Sequence, residues 1–156
     1  MSKPNLALSL WQRLAPYPGG KWLFSRLLCW KAPYFASIRP RFDELRPGYC
    51  AVSLRKRRAV QNHIGTVHAI AMCNLAELAG GTMTDVSTPP THRWIPKGMT
   101  VEYLKKAETS LRGVAELNPL PTFGAAQELP VTVNVYDTRG EVVFRAVITM
   151  WVSPKK

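Results

Sequence analysis

Hydrophobic and polar positions change their period several times along this chain. Leu6, Leu10 and Leu14 fall on one stripe at helical spacing, behind Asn5, a residue type that caps helix N-termini. Pro16, Pro18, Gly19 and Gly20 stop that first helix near Ala15. A second helix is predicted from about Lys21 to Lys31, with Trp22, Leu23, Phe24, Leu27, Leu28 and Trp30 set among basic residues. From about Tyr34 the period becomes two: Ile38, Pro40 and Phe42 alternate with Arg39, Arg41 and Asp43, and Arg46-Pro47-Gly48 makes a turn. Cys50, Val52 and Leu54 continue as a second strand. A polar stretch then runs into Ala69–Gly81, a segment of mainly Ala, Leu, Met and Ile that predicts a buried helix ending at Gly80-Gly81. Thr82–Thr91 reads as loop, stiffened by Pro89-Pro90. Two more strands are expected at Met99–Ala107 and Leu111–Leu117. The clearest hairpin closes the chain: Val131, Val133 and Val135 alternate with polar residues, turn at Asp137–Gly140, and return through Val142–Val152.

Strands in runs, with helices kept apart from them, predict an α+β domain. The boundaries are a helical segment at 1–32 and a single sheet-and-helix domain at 33–156. The second helix has two readings, an ordinary cover for the domain's own core or an interfacial membrane helix or lid over a substrate tunnel.

At 156 residues and 46% hydrophobic, the chain is one domain with enough apolar material for a core. A net charge of +11 asks for an acidic partner, such as a phosphorylated cofactor, an acidic carrier protein, an anionic membrane surface or nucleic acid. The run Arg55-Lys56-Arg57-Arg58 either grips phosphates or forms a solvated rim, and no nucleic-acid module surrounds it. Cys29, Cys50 and Cys73 form no close pair, which argues against a disulfide framework or zinc site and for a reducing cytoplasm. No apolar run reaches membrane-spanning length. The basic N-terminus lacks an apolar core before a cleavage site and is expected in the mature protein.

Chemistry concentrates in Gln61–His68 and the helix after it. Glu77 is the one carboxylate in an apolar helix, and glutamate is rarely buried unless paired. His68 lies nine residues earlier, roughly half a turn around the axis and about 13 Å along it. The two side chains therefore cannot meet on one atom within one helix. Either they serve separate purposes or a second subunit brings them together. Thr66 is a candidate N-cap, and His63 either contacts substrate or shapes the loop. A serine hydrolase is not indicated, because no G-x-S-x-G elbow is present.

Asn62-x-x-Gly65-x-x-His68 followed by Leu75-Ala76-Glu77 resembles the loop and central helix of hotdog-fold acyl-CoA thioesterases, the phenylacetate-pathway type above all. The wording Asn-His-x-Gly-Thr-x-His-Ala, with glutamate as the acid, is similar to an uncharacterised thioesterase-like hotdog branch. Two positions depart from the family: His68-Ala69-Ile70 stands where His-Gly-Gly is frequent, and Gly81 stands where some relatives carry a hydroxyl. The resemblance implies a curved antiparallel sheet around one long helix, and a homodimer or dimer of dimers. It implies a thioester site across the interface, with the Asn62–His68 loop of one subunit facing Glu77 of the other. Asn62, His68 and Glu77 are then catalytic, Glu77 as base or nucleophile. His63, Gly65, Thr66 and Ala69 line the substrate, and Lys97, Arg93 and Arg57 take the phosphates of coenzyme A. Coenzyme A enters as part of the substrate, and no other cofactor is implied. The alternative on the same fold is a non-catalytic binder of acyl-CoA or acyl carrier protein.

Overall fold

The C-terminal alternation folds as the predicted hairpin. β5 (Gln127–Tyr136) and β6 (Val142–Pro154) pair antiparallel, with Val131 opposite Ile148 and Val133 opposite Ala146. In this computed structural model, which describes residues 5–156, the remaining strands are β1 (Arg41–Arg46), β2 (Tyr49–Leu54), β3 (His92–Tyr103) and β4 (Leu111–Glu116). Residues 1–4 of the predicted helical segment lie outside the described residues. The six strands form one antiparallel sheet in the order β1-β2-β4-β5-β6-β3. Alternate residues of β6, among them Ala146, Ile148, Met150 and Val152, are buried, whereas Arg145, Val147 and Trp151 are exposed. One face of the sheet is therefore core and the other surface.

Helix α3 (Ala69–Ser87) lies on the core face, burying Leu75, Ala76, Leu78, Ala79 and Met83. It runs straight through Gly80-Gly81, where the sequence predicts a stop. The cause is close packing. A Cβ at Gly80 would stand 2.9 Å from Ile148 Cδ1 and 3.2 Å from Val133 Cγ2, and one at Gly81 would stand 3.2 Å from the Trp94 ring. These glycines let the helix approach the sheet rather than end it. The predicted loop at Thr82–Thr91 is helical as far as Ser87. There Ser87 and Thr88 hydroxyls bond back to carbonyls one turn earlier, ahead of Pro89-Pro90.

Two other predicted boundaries move. Pro33–Ile38 is a 3-10 helix rather than the start of a strand, and Arg39, at φ 47°, redirects the chain into β1. β3 begins at His92 instead of Met99, because Arg93–Pro96 already pairs with β6; a bulge after Pro96 absorbs the missing N–H.

Helices α1 (Leu6–Leu14) and α2 (Gly20–Lys31) form as predicted, and Asn5 Oδ1 accepts from Leu8 N at 3.0 Å as the cap. They share the core of the sheet. Phe24 is 1% exposed and sits edge-on between Trp11 and Phe42, each ring centroid 5.1 Å away. Ser25 Oγ accepts from the Phe42 amide at 2.9 Å, and Lys21 Nζ donates to the Asp43 carbonyl at 2.7 Å. Both bonds tie α2 to β1.

Candidate active site

The polar loop before α3 is held mainly by its own bonds. Gln61 and Val67 bridge, and Gly65 takes φ 78°, a left-handed conformation that side chains resist. Asn62 Oδ1 accepts from the amides of Ile64 and Thr66, both at 3.1 Å, and its Nδ2 donates to Thr66 Oγ1 at 2.8 Å. Asn62 and Thr66 thus shape the loop, and Thr66 is not the helix cap. That place belongs to His68, whose Nδ1 accepts from Ile70 N at 3.0 Å. An accepting Nδ1 puts the ring proton on Nε2, so His68 offers solvent a donor. His63 is exposed, and Ala69 opens the first turn of α3.

Glu77 is two and a half turns further along. The sequence places it in a dry helix; instead it is exposed in the single chain. Among the described residues nothing pairs with it by hydrogen bond or salt bridge. Ile70, Cys73 and Glu77 share one stripe of α3, since spacings of three and four return to the same face; Ile70 and Glu77 are exposed there and Cys73 is half-buried. Beside Glu77 opens a mostly apolar cavity of about 630 Å³. Its floor is the Glu77–Leu78–Gly81–Thr82–Asp85 side of α3; one wall is Leu6, Leu10, Leu27 and Leu28 of α1 and α2, the other Trp94 and Met150. Asp85 fixes the far end, accepting from Asn5 Nδ2 and from Trp94 Nε1, each at 3.0 Å.

The three bases assigned to phosphates separate in space. Arg57 is near the helix N-terminus, donating to the Ser37 carbonyl at 2.6 Å. Lys97 pairs with Glu128 and lies 5.5 Å from the ring centre of Trp151, and Arg93 Nε reaches Ser153 Oγ at 3.4 Å. Trp151 belongs to the exposed face of the sheet, so Lys97 and Arg93 point away from Glu77. Register explains the placement: alternate residues of β3 face opposite ways, and Trp94 takes the inward position.

Sequence reasoning also passed over residues around Glu77. Cys73, one turn earlier on the same face, is half-buried near Tyr103 at the end of β3; burial pushes its thiol up, and the Tyr103 side chain partly offsets the effect. Asn74 is 6% exposed and donates to Ser37 Oγ at 3.1 Å, leaving its Oδ1 without a partner among the described residues. The i, i+4 spacing of Cys73 and Glu77 was the available signal.

This geometry can be set beside known proteins. A family model described as a domain of unknown function, DUF4442, matches residues 20–152. The chain belongs to this family. The crystal structure of a structural-genomics target is 51% identical to this DUF4442 protein, with a TM-score of 0.83 over 96% of this chain and 98% of that one. A Pseudomonas aeruginosa protein of unknown function, described as a probable thioesterase, is 24% identical with a TM-score of 0.77, over 84% and 93% of the two chains. A thioesterase family protein from Silicibacter pomeroyi is 20% identical with a TM-score of 0.70, over 84% and 96%. These two likenesses establish fold, and the DUF4442 chain has the α+β hotdog architecture of such proteins. No curated protein matches the sequence.

Proposed function

We propose that this DUF4442 protein hydrolyses acyl thioesters, of coenzyme A or of a carrier protein, at a site that two copies build together. The observation that carries this reading is Glu77: a solvent-facing carboxylate without a partner among the described residues, on a mostly buried helix and at the floor of an apolar cavity. An apolar pocket of a few hundred Å³ with one convergent polar group suits an acyl chain whose carbonyl stops at the acid. Two features support a second copy. β3 is a twelve-residue edge strand, exposed along nearly all its length, and a long open edge invites pairing. Ile70, two turns before Glu77 on the same face of α3, is 56% exposed and Ile95 on β3 is 61% exposed, apolar area that a partner would cover. Pairing about a two-fold axis would bring the Asn62–His68 loop of one copy towards Glu77 of the other, and so overcome the separation along α3.

In that arrangement the thioester carbonyl oxygen meets the Nε2–H of His68 and the amides of the first turn of α3, which lack partners in the helix ladder. Glu77 takes a proton from water as the water oxygen bonds to the carbonyl carbon. The tetrahedral intermediate then expels sulfur, and the Glu77 proton passes to the leaving thiolate. Direct attack by Glu77, giving a mixed anhydride that water opens, uses the same groups. One observation favours the non-catalytic alternative: Ile70 N is already bonded to His68, and Asn62 is spent on the loop, which leaves few donors for an oxyanion.

Glu77→Gln tests the reading. The side chain is exposed and unpaired, so the melting temperature should hold within the scatter of surface substitutions, ~0.5 kcal/mol. Thiol release from an acyl-CoA panel should fall by about 10² or more while acyl-CoA binding persists. Undiminished turnover in the variant would remove Glu77 from the chemistry. Wild-type protein that binds acyl-CoA without releasing thiol would leave the binding function alone standing.

A further inference from the structure

We infer that the outer face of α2 seats on an anionic lipid surface, independently of the thioester reading. At about 100° per residue, Trp22, Arg26, Trp30, Leu23 and Leu27 follow one another around a single half of α2, while Phe24, Ser25, Leu28 and Cys29 turn to the core. The outward half is the reverse of an ordinary surface helix, which keeps its polar residues in water. Trp30 is 84% exposed and Trp22 62%, and Tyr17 and Tyr34 flank them, also exposed.

Charge selects what covers this face. Residues 1–42 contain no aspartate or glutamate, and Asp43 is the first acid in the chain. Arg13, Lys21, Arg26, Lys31, Arg39 and Arg41 all belong to this stretch, and none of them makes a salt bridge among the described residues. Beside Trp22, the turn between α1 and α2 encloses a hollow of about 490 Å³ lined by Tyr17, Trp22, Lys21 and Arg41, two ring systems and two cations with no acid. Tryptophan and tyrosine settle where hydrocarbon meets headgroups, and bases beside them gain from anionic phosphates. A second copy of the chain would bring the same positive charge against this face and be repelled. No described helix is long and apolar enough to cross a membrane, so the contact is peripheral. Leu27 and Lys31 also line the cavity beside Glu77, which places its mouth at the edge of the docking face.

Co-sedimentation of the full chain with vesicles tests this, comparing pure phosphatidylcholine with an equimolar mixture of phosphatidylcholine and phosphatidylglycerol. Partitioning onto the anionic vesicles should exceed that onto neutral ones by about tenfold or more, and should weaken as salt screens the surface. Trp22→Ala with Trp30→Ala should lower it by about tenfold or more at unchanged melting temperature, since both side chains are exposed. Arg41→Gln and Lys31→Gln should each lower it about fivefold, on anionic vesicles only. Three results would overturn the inference: equal or absent binding to the two vesicle types, wild-type binding by the tryptophan variant, or lipid-free sedimentation in which that variant dissolves an oligomer. Salt-sensitive binding to a DNA duplex with none to vesicles would also overturn it, by assigning the bases to nucleic acid.

Discussion

Phe24→Ala asks whether α1 and α2 belong to the domain or merely rest on it. Phe24 is fully buried, with Trp11 and Phe42 meeting its ring edge-on. Truncating a buried phenylalanine to alanine costs about 3–5 kcal/mol in transfer and cavity terms. Each lost edge-to-face pair belongs to the upper part of that range, at ~0.5–1.5 kcal/mol. The Phe42 amide keeps its bond to Ser25 only if α2 stays docked, so partial relaxation adds to the loss rather than relieving it. For a chain of this length each kcal/mol moves the melting temperature by about 2–4 °C, which predicts a fall of about 6–20 °C. The assay is thermal and urea unfolding followed by circular dichroism, with Trp30→Ala as the exposed control. A Phe24→Ala protein melting within ~2 °C of wild type would refute the packing argument and make α2 a detachable cover.

Two further substitutions probe the fold. Gly80→Val places methyl groups where a single Cβ already crowds Ile148 and Val133, and should destabilise by at least ~2 kcal/mol in urea titration, despite the better helix propensity of valine over glycine; a neutral result would mean that α3 can lift from the sheet. In the β5–β6 turn the Glu141 amide above all, with the Arg139 side chain and amide, holds the Asp137 carboxyl below its ordinary range. That stabilisation is complete above the unfolded value of ~3.9 and is lost as pH falls below it. Asp137→Asn should therefore be less stable than wild type at neutral pH, with the gap in urea midpoint closing in acid; a gap constant across that range would contradict the assignment.

What the sequence determined was whatever depends on neighbours a few residues away. Period-two alternation placed the β5–β6 hairpin and its turn, because side-chain direction in a strand is a local property. The helix rise alone kept His68 and Glu77 apart, and the Asn5 cap needs only the next turn of chain. Gly80-Gly81 read as a stop for the same reason, since a glycine pair after an apolar run commonly ends a helix. Ile148 and Val133, which explain those glycines, lie far along the chain and meet them only once the sheet is built. Glu77 was read as buried because its helix is apolar. Its exposure depends on which elements pack against α3, and so on tertiary structure rather than on composition. The cavity beside it joins residues of α1, α2, α3, β3 and β6, so no local window contains it. The convex placement of Arg93 and Lys97 was settled by strand register, in which a shift of one residue turns a side chain from one face of the sheet to the other.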